Sequence, residues 1–526
     1  MKTRWTRIIL ALMVGILMAP AAWGQTVRAV MHAELKHLDP HWTTANITQQ
    51  HGLMMYDTLF SLDSKGNPQP NMVDKYTVSK DLLTYTFTLR DGLLFHDGQP
   101  VRAVDAVTSI KRWAVKDAAG QKIMAKMESF EAKDAKTFVL KLKEPYPLVL
   151  RGLAKENSYV PFILPERHAL QDPSKAFEGD PVGSGPFKFV KEEWVPGSKT
   201  VYVKFKEYKP RAEKADYFSG GKVVNVDRVE WISIPDASTA VAALQKGEVD
   251  FLERPVSDQL PLLRADSNIM LARVDISQMQ IHPNHLLPPF NNVKARQALL
   301  TMSDQEYYLR AMAGEPENWR KCYTFLGCES WLATDVGSDL LKNPNLELAT
   351  KLLKESGYKG EPVVVMVPSD FAVINAASLA TVAMLRKIGV NVDMQTMDWG
   401  TLTSRRPIKE DPSANKGGWN IFLTYSGYSS LKDPWGFANL STSCEKAWFG
   451  WACDMDTSKA LDELGALKEG TPEFKKKQEQ YHRGLMANIP YVPMGEFFQL
   501  SAWRKDRLSG VIPTPFQAFW NLTKKE

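Results

Sequence analysis

Between positions 83 and 89, apolar and polar residues alternate strictly. The apolar positions are Leu83, Tyr85, Phe87 and Leu89, and threonine occupies each position between them. This period of two predicts a β-strand with one buried face. Two Asp-Gly turns follow, at 91–92 and 97–98, and apolar residues then recur at helical spacing as far as Trp113. The segment 81–113 therefore predicts a strand, a turn-rich connection and a helix.

Strand-like and helix-like segments alternate through the rest of the chain. The predicted strands are 26–31, 137–142, 187–190, 229–235, 363–367 and 390–396. The predicted helices are 49–59, 237–246, 346–356 and 376–388. No low-complexity tract and no repeat of solenoid period interrupts this order. The pattern is typical of a mixed α/β protein.

The first 24 residues have the pattern of a secretion signal. Basic residues at positions 2, 4 and 7 precede an apolar run at 8–18, and 22–24 fits a small-x-small cleavage site before Gln25. A membrane anchor is the alternative, but it needs about 20 apolar residues. No cysteine follows the apolar run, so a lipoprotein is not encoded. We expect an exported, periplasmic protein with a cleaved signal.

Composition narrows the possible partners. The chain is 44% hydrophobic, which suits sizeable cores, and its formal charge of +5 falls to +2 once the three basic signal residues are removed. A nearly neutral mature chain of about 500 residues suggests two or three lobes. Nothing in this charge balance indicates nucleic acid or an anionic surface as a partner.

Four cysteines remain for an exported chain, and an even number favours disulfides. Three pairings are possible, and the local pairs Cys322–Cys328 and Cys444–Cys453 are favoured because each closes a short loop. Such short loops stabilise less than long ones. A zinc site is the alternative, but the C-x5-C and C-x8-C spacings lack a nearby histidine pattern.

Motifs of catalysis are lacking in the sequence. It contains no G-x-S-x-G, H-E-x-x-H or G-x-G-x-x-G segment. His282 and His285 form the only close histidine pair, in a proline-containing segment where solvated or capping histidines are commoner than metal ligands. We therefore expect no enzyme activity, no metal and no cofactor.

Five segments carry a resemblance that spans nearly the whole mature chain. They are 81–113, 182–187 (VGSGPF), 236–255 (which contains GEVD), 288–299 (PPFNNVKARQAL) and 385–392 (LRKIGVNV). In this order they resemble family 5 of the extracellular solute-binding proteins, the dipeptide-, oligopeptide- and nickel-binding receptors of ABC importers.

The resemblance implies an α/β, two-lobed periplasmic binding protein fold with hinge strands and an extra subdomain in the first lobe. We expect a signal peptide at 1–24, lobe I at 25–276, lobe II at 277–488 and a return to lobe I at 489–526. Crossing strands are expected near 271–281 and 489–497. The implied function is capture of a small organic solute by hinge closure and delivery to an inner-membrane ABC permease, by a protein that is expected to be monomeric.

The resemblance also indicates ligand-binding residues. Trp399 resembles the tryptophan that lines the cleft of peptide-binding relatives, and core packing is its alternative role. Arg406 lies where those relatives carry a ligand-facing arginine, with Arg405 one position away in register; a solvated loop is the alternative. Tyr425 and Tyr428 add aromatic surface that could stack on a ligand.

Three further candidates lie in loops. Trp448 belongs to an aromatic loop between two cysteines, which either caps the cleft or packs on the surface. His41 and Trp42 follow a Leu-Asp-Pro segment that resembles the opening segment of the family, and relatives have that loop beside the cleft.

One position departs from the peptide receptors of the family. Their aspartate that holds the ligand's α-ammonium group corresponds to about Ser429 in this chain. Either Asp433 takes this role or the ligand lacks a free amine, because an ammonium group in a desolvated cleft needs a carboxylate partner. A dipeptide or short peptide is the default ligand, and the alternatives are a metal chelate, an opine, a glutathione-like compound or a sugar. A periplasmic enzyme or chaperone is a more distant alternative.

Overall fold

The structure is a computed structural model that describes residues 24–525 apart from positions 147 and 468. The predicted secretion signal lies outside the described residues except for Gly24. No helix in the described part of the chain combines the length and the apolar character needed to cross a membrane.

The strands in the described residues follow one another in this order. They are β1 (Thr26–Val30), β2 (Phe60–Leu62), β3 (Pro68–Pro70), β4 (Val73–Val78), β5 (Thr84–Leu89), β6 (Met127–Ala132), β7 (Thr137–Leu142), β8 (Phe187–Phe189), β9 (Lys199–Lys204), β10 (Arg228–Ile232), β11 (Phe251–Glu253), β12 (Ile269–Pro283), β13 (Trp319–Arg320), β14 (Val363–Pro368), β15 (Val392–Met397), β16 (Ile421–Gly427), β17 (Val492–Arg504), β18 (Leu508–Ser509) and β19 (Thr523–Lys524).

The α-helices in the described residues are distributed between these strands. They are α1 (Asn46–Met55), α2 (Ala103–Ala114), α3 (Ala118–Lys126), α4 (Val149–Leu153), α5 (Glu166–Ala169), α6 (Ala237–Lys246), α7 (Leu260–Ala265), α8 (Val293–Met302), α9 (Gln305–Ala313), α10 (Asp339–Lys342), α11 (Leu346–Glu355), α12 (Ala372–Lys387), α13 (Trp399–Arg405), α14 (Tyr428–Leu431), α15 (Met455–Ala466) and α16 (Pro472–Asn488).

The segment with the clearest alternation forms a separate four-stranded sheet, in the order β4-β5-β7-β6. Strand β5 buries Tyr85, Phe87 and Leu89 and leaves the threonines between them half-buried, as the period of two predicts. Helix α2 packs its apolar face, which includes Ile110 and Trp113, into the same core. The predicted strand, turns and helix are thus confirmed, and they form the extra subdomain.

One extended sheet connects the two lobes, in the order β15-β14-β16-β12-β17-β11-β1-β10-β9-β8, with β13 paired to β17. Strands β12 and β17 lie side by side and antiparallel in its middle. Lobe I packs on the strands from β11 to β8, and lobe II packs on the strands from β16 to β15. The two long central strands are therefore the connections between the lobes, as the resemblance implies.

Several predicted boundaries differ from the structure, and two of the differences have a clear structural cause. The helix predicted at 49–59 ends at Met55, because Tyr56 is extended and the chain soon pairs as β2 with β3. The second crossing segment was expected to end near position 497, but β17 continues to Arg504. It continues because β17 also pairs with β11 of lobe I, from Phe251 to Glu253.

Both local disulfides, Cys322–Cys328 and Cys444–Cys453, are present in the structure. The second one closes the loop that carries Trp448 and Trp451, and both of these rings pack on the core of lobe II. The two histidines of the 282–285 segment have different partners. His282 stacks on Phe422 with ring centres 5.0 Å apart, whereas a ring nitrogen of His285 lies 3.1 Å from the carbonyl of Ile489.

Candidate functional site

A small cavity of about 40 Å³ lies between the lobes. Lobe I and the connections contribute the segment 44–46, Asn157 and Arg254, and β12 contributes Asp275. Lobe II contributes the end of β16, the start and end of helix α13, and Trp448. Charged, amide and aromatic side chains therefore surround one enclosed space, which is the usual composition of a small-molecule site.

Helix α13 carries two of the cavity residues at its ends. The Asp398 carboxylate caps the helix by accepting the backbone N–H of Thr401, so Trp399 occupies the first helical position. Arg406 directly follows the last helical residue, and its carbonyl accepts the indole N–H of Trp419 at 3.2 Å. These local contacts hold the tryptophan and the arginine in fixed positions at the cavity.

The guanidinium of Arg406 is buried between aromatic rings, with only 2% of the residue exposed. Its central carbon lies 5.0–5.8 Å from the ring centres of Trp399, Phe422, Trp448 and Phe449. Among the described residues, the guanidinium has no hydrogen-bond or ion-pair partner, and its Nε is buried without one. Burial lowers the pKa of Arg406 to about 10, so it remains charged at neutral pH and lacks an anion.

A second arginine, Arg254, lies on another side of the cavity and has hydrogen-bond partners for both terminal nitrogens, although its buried Nε has none among the described residues. Its guanidinium donates to the hydroxyl of Tyr425 and, at 3.2 Å, to the carbonyl of Pro515. The neighbouring Glu253 accepts the ring N–H of His32 at 2.6 Å. Burial lowers the pKa of His32, so a neutral imidazole donates to the carboxylate. The carboxylate of Glu253 also lies 3.9 Å from the Nε of Arg254 and offsets its charge.

Asp275 is a buried carboxylate in the wall of the cavity. It is 9% exposed, and its Oδ1 accepts the backbone N–H of Tyr428 at 3.1 Å. Burial raises the pKa of Asp275 to about 6. The cavity therefore presents a positive group without a partner at Arg406 and a negative group at Asp275.

Direct contacts join the lobes around the cavity. The amide of Asn157 donates to Ser429 Oγ at 2.5 Å and accepts from Ser430 Oγ at 2.8 Å. Arg151 forms an ion pair with Asp433 at 3.0 Å. These contacts connect residues on opposite sides of the cleft, so the structure has the lobes closed over the cavity.

Five of the ten predicted ligand-binding residues line this cavity: Trp399, Arg406, Tyr425, Ser429 and Trp448. The structure does not place the other five in the lining. Arg405 instead donates to the carbonyls of Gly417 and Gly418 at 3.0 and 3.1 Å. Of the two adjacent arginines, Arg406 is the one that lines the cavity.

The remaining four predicted residues have other surroundings and are not part of the cavity lining. The carboxylate of Asp433 is paired with Arg151, as described above, and Tyr428 contributes its backbone N–H to Asp275. His41 is buried in lobe I, where burial lowers its pKa to about 4. The ring of Trp42 packs against His37, with ring centres 4.8 Å apart.

The cavity residues that the sequence did not predict include Asn157, Arg254 and Asp275. A signal for Asp275 was present, because it is an acidic residue within the predicted crossing strand 271–281. The sequence offered no signal for Arg254. In the structure its backbone has a φ of +52°, a conformation that is uncommon for residues other than glycine.

A larger and more open groove of about 670 Å³ continues from the cavity. His32, Arg254, Phe371 and Tyr425 border both spaces. The contact between Arg254 and Tyr425 therefore lies at the boundary between the enclosed cavity and the groove.

Two α/β lobes, two connecting strands and a polar cavity between the lobes define a two-lobed solute-binding protein. The sequence matches the family described as bacterial extracellular solute-binding proteins, family 5, over residues 67–448. The chain belongs to this family, whose members bind solutes.

Individual proteins are similar over almost the full length. A probable peptide ABC transporter periplasmic-binding protein of Sinorhizobium fredii is 40% identical over 505 residues, which cover 95% of this chain and 93% of the relative. The Agrobacterium tumefaciens binding protein AgaA, solved with agropinic acid, superposes with a TM-score of 0.78 at 21% identity, over 95% of this chain and 99% of the other. The Helicobacter pylori protein DppA, solved with the peptide STSA, has the same TM-score at 20% identity, over 95% and 98%. The two solved structures share the fold of this chain.

Proposed function

We propose that this protein is the periplasmic substrate-binding component of an ABC importer and that it captures short peptides with a free carboxyl end. The proposed lobe boundaries are 25–276 and 489–526 for lobe I and 277–488 for lobe II. The ligand binds in the cavity between them, and closure of the lobes removes it from water.

The observation that carries this proposal is the buried guanidinium of Arg406, which has aromatic neighbours and no anion among the described residues. A buried charge is costly unless it is paired. The carboxylate of a ligand supplies that pair, in the two-pronged geometry that guanidinium groups favour. The rings of Trp399 and Trp448 exclude water from this contact and therefore strengthen it.

Peptides are favoured as the ligand class for two reasons. The relative with 40% identity is named as a probable peptide ABC transporter periplasmic-binding protein. The cavity also presents aromatic and amide groups, from Trp399, Tyr425 and Asn157, which suit side chains and peptide bonds.

A carboxylate-bearing solute other than a peptide, such as an opine, is the second candidate. The observation that favours it is Ser429, which occupies the position of the ammonium-binding aspartate and donates no charge. A binding protein solved with agropinic acid also has this fold. Such a ligand satisfies Arg406 without requiring a second acidic group.

The proposed setting is the periplasm, reached through a signal peptide that is cleaved before Gln25 and without a lipid anchor. The proposed partner is an inner-membrane ABC permease that recognises the closed form. We propose that the protein acts as a monomer and releases its ligand chemically unchanged.

The test is a thermal-shift screen on protein exported to the periplasm, stripped of ligand by reversible unfolding and refolded. Dipeptides, tripeptides, opines, glutathione, sugars and nickel chelates are compared at equal concentration. A ligand at a hundredfold excess over its Kd stabilises the folded state by about 2.7 kcal/mol, so the binding class raises the unfolding midpoint. Mass spectrometry of the recovered ligand and of the mature amino end tests turnover and cleavage.

Peptides are expected to raise the midpoint, and amidation of their carboxyl end is expected to abolish the rise. A rise with sugars or nickel chelates alone contradicts the peptide assignment. Chemical conversion of a bound compound contradicts the proposed role as a receptor.

A further inference from the structure

We propose that Asp275, on connecting strand β12, binds the ammonium group of the ligand and thereby takes over the role of the aspartate that this chain replaces with Ser429. This inference rests on the proposed function, because it assigns the second charged contact of the same ligand. The receptor then selects zwitterions, with Arg406 binding the carboxylate and Asp275 binding the amine.

The local structure directs Asp275 to the cavity. The register between β12 and β17 shifts between Arg273 and Asp275, which marks a bulge, and bulges re-aim side chains beside binding sites. On the neighbouring strand β16, a Cβ added at Gly427 is 2.1 Å from Asp275 Oδ2. The glycine therefore leaves the space that the carboxylate occupies.

Contacts from the backbone and from a neighbouring side chain orient the carboxylate. The N–H of Tyr428 donates to Oδ1 at 3.1 Å, and the hydroxyl of Ser277 lies 3.5 Å from Oδ2. Neither contact neutralises the charge. Asp275 is thus held in place as an acceptor, and it retains lone pairs for a further donor.

Asp275 has no cationic partner in the part of the chain that the structure describes, since no Lys, Arg or His nitrogen lies within 4.0 Å of it. Arg254 is the cation that acts on it electrostatically, but its guanidinium is used by Tyr425 and Pro515. A carboxylate that is nine-tenths buried and unpaired is costly. An ammonium group from the ligand removes that cost.

Other carboxylates near the cleft are less suited to this role. Asp433, the alternative from the sequence, is paired with Arg151 at 3.0 Å. Glu156 is buried next to the hydroxyl of Tyr217, at 3.4 Å, and does not line the cavity. Burial raises the pKa of Glu156 to about 7, so at pH 7 it is half protonated, whereas Asp275 is mostly ionised.

The positions of the two charges set the length of the ligand. Arg406 lies against Phe422, with 5.8 Å between the guanidinium carbon and the ring centre, and Asp275 contacts Gly427 on the same strand. Five residues of strand correspond to about 17 Å, and an extended peptide spans about 3.5 Å per residue. On this scale the two charged groups are separated by at most about 17 Å, so short peptides match their separation better than long ones.

The test measures binding of di- and tripeptides by calorimetry to the wild type, Asp275→Asn and Glu156→Gln. Each peptide is made with free ends, with an acetylated amino end and with an amidated carboxyl end. Glu156→Gln is the matched control, because it also neutralises a buried acid near the cleft. Asp275→Ser is the second variant in case the asparagine variant does not fold.

We expect the wild type and Glu156→Gln to bind free peptides about tenfold or more tighter than acetylated ones. In Asp275→Asn the two forms bind within about threefold of each other, because only free peptides lose affinity. The inference is overturned if the wild type binds free and acetylated peptides equally, or if Asp275→Asn keeps a tenfold preference for free peptides. Loss of binding on carboxyl amidation tests the proposed function separately. If the wild type binds no peptide in any form, both the inference about Asp275 and the proposed function are contradicted.

Discussion

Replacing Arg406 by methionine is expected to make the ligand-free protein more stable while removing its affinity for ligands. The guanidinium is buried without an anion, and burial lowers its pKa from 12.5 to about 10. A displacement of this size corresponds to about 3 kcal/mol of unfavourable free energy for the charged form. Contacts with the aromatic rings return about 0.5–2 kcal/mol. Methionine fills the same space without a charge, so we expect a net gain of about 1–3 kcal/mol.

Calorimetric unfolding of the ligand-free protein measures this gain. With an unfolding entropy of about 2 cal/mol/K per residue, a chain of about 500 residues shifts its midpoint by about 1 °C per kcal/mol. Arg406→Met is therefore expected to unfold about 1–3 °C higher than the wild type. Titration with a free tripeptide is expected to show a loss of about 2–5 kcal/mol, which is roughly 30-fold to several thousandfold in Kd.

The neighbouring Arg405 provides the matched control. Its side chain donates to two carbonyls and, at 2.9 Å, to the amide oxygen of Gln395, and it does not line the cavity. Arg405→Met is expected to lose about 1–3 kcal/mol of stability and to keep its ligand affinity. The reasoning is refuted if Arg406→Met is destabilised like the control, or if it binds the tripeptide as tightly as the wild type.

Three further predictions concern pH, the aromatic loop and the contact between the lobes. Burial raises the pKa of Glu156 in the folded state from 4.5 to about 7, so between these pH values the folded state binds a proton that the unfolded state has lost, and stability falls as pH rises. Urea unfolding should therefore show the wild type losing stability relative to Glu156→Gln from about pH 4.5 to pH 7. The prediction is contradicted if the stabilities of the two proteins change equally with pH. Replacing Cys444 and Cys453 by serine opens a loop whose ends are 9 positions apart, which should lower the free energy of unfolding by about 2–3 kcal/mol. Peptide binding measured by calorimetry should also weaken. Unchanged affinity would mean that the loop does not position the binding site. Arg151→Ala removes the half-exposed ion pair with Asp433. Because such a pair contributes at most about 1 kcal/mol, ligand affinity should fall no more than about fivefold, and X-ray scattering should detect more of the open form. A larger loss of affinity would show that the pair does more than hold the lobes closed.

The individual elements were accessible from the sequence because they depend on neighbouring residues. Alternation of apolar residues defined β5, and helical spacing defined α2, since each pattern requires only one buried face. The predicted helix 237–246 and the predicted strand 137–142 match the structure residue by residue. The helix predicted at 49–59 was too long, because pairing of β2 with β3 overrides the local pattern beyond Met55.

Trp399 and Arg406 are two of the five predicted residues that line the cavity, and both belong to one short helix and its flanking residues. The helix determines their spacing, and a motif of ten residues therefore identifies both. The choice between Arg405 and Arg406 was not accessible, because adjacent positions on a helix point in different directions and only the packing of lobe II determines which one is buried.

By itself, the sequence determined the α/β elements, the order of the family motifs, the local pairing of the cysteines and the two residues at the ends of α13. Only the tertiary structure decided the charge pattern of the cavity. It brings Asp275 of the connecting strand into the same space as Arg406, 131 positions later in the chain, and it uses Asp433 in an ion pair between the lobes. The physical reason is that the state of a charged group depends on its burial and its partners, and here both arise from the meeting of two lobes that are distant in the sequence.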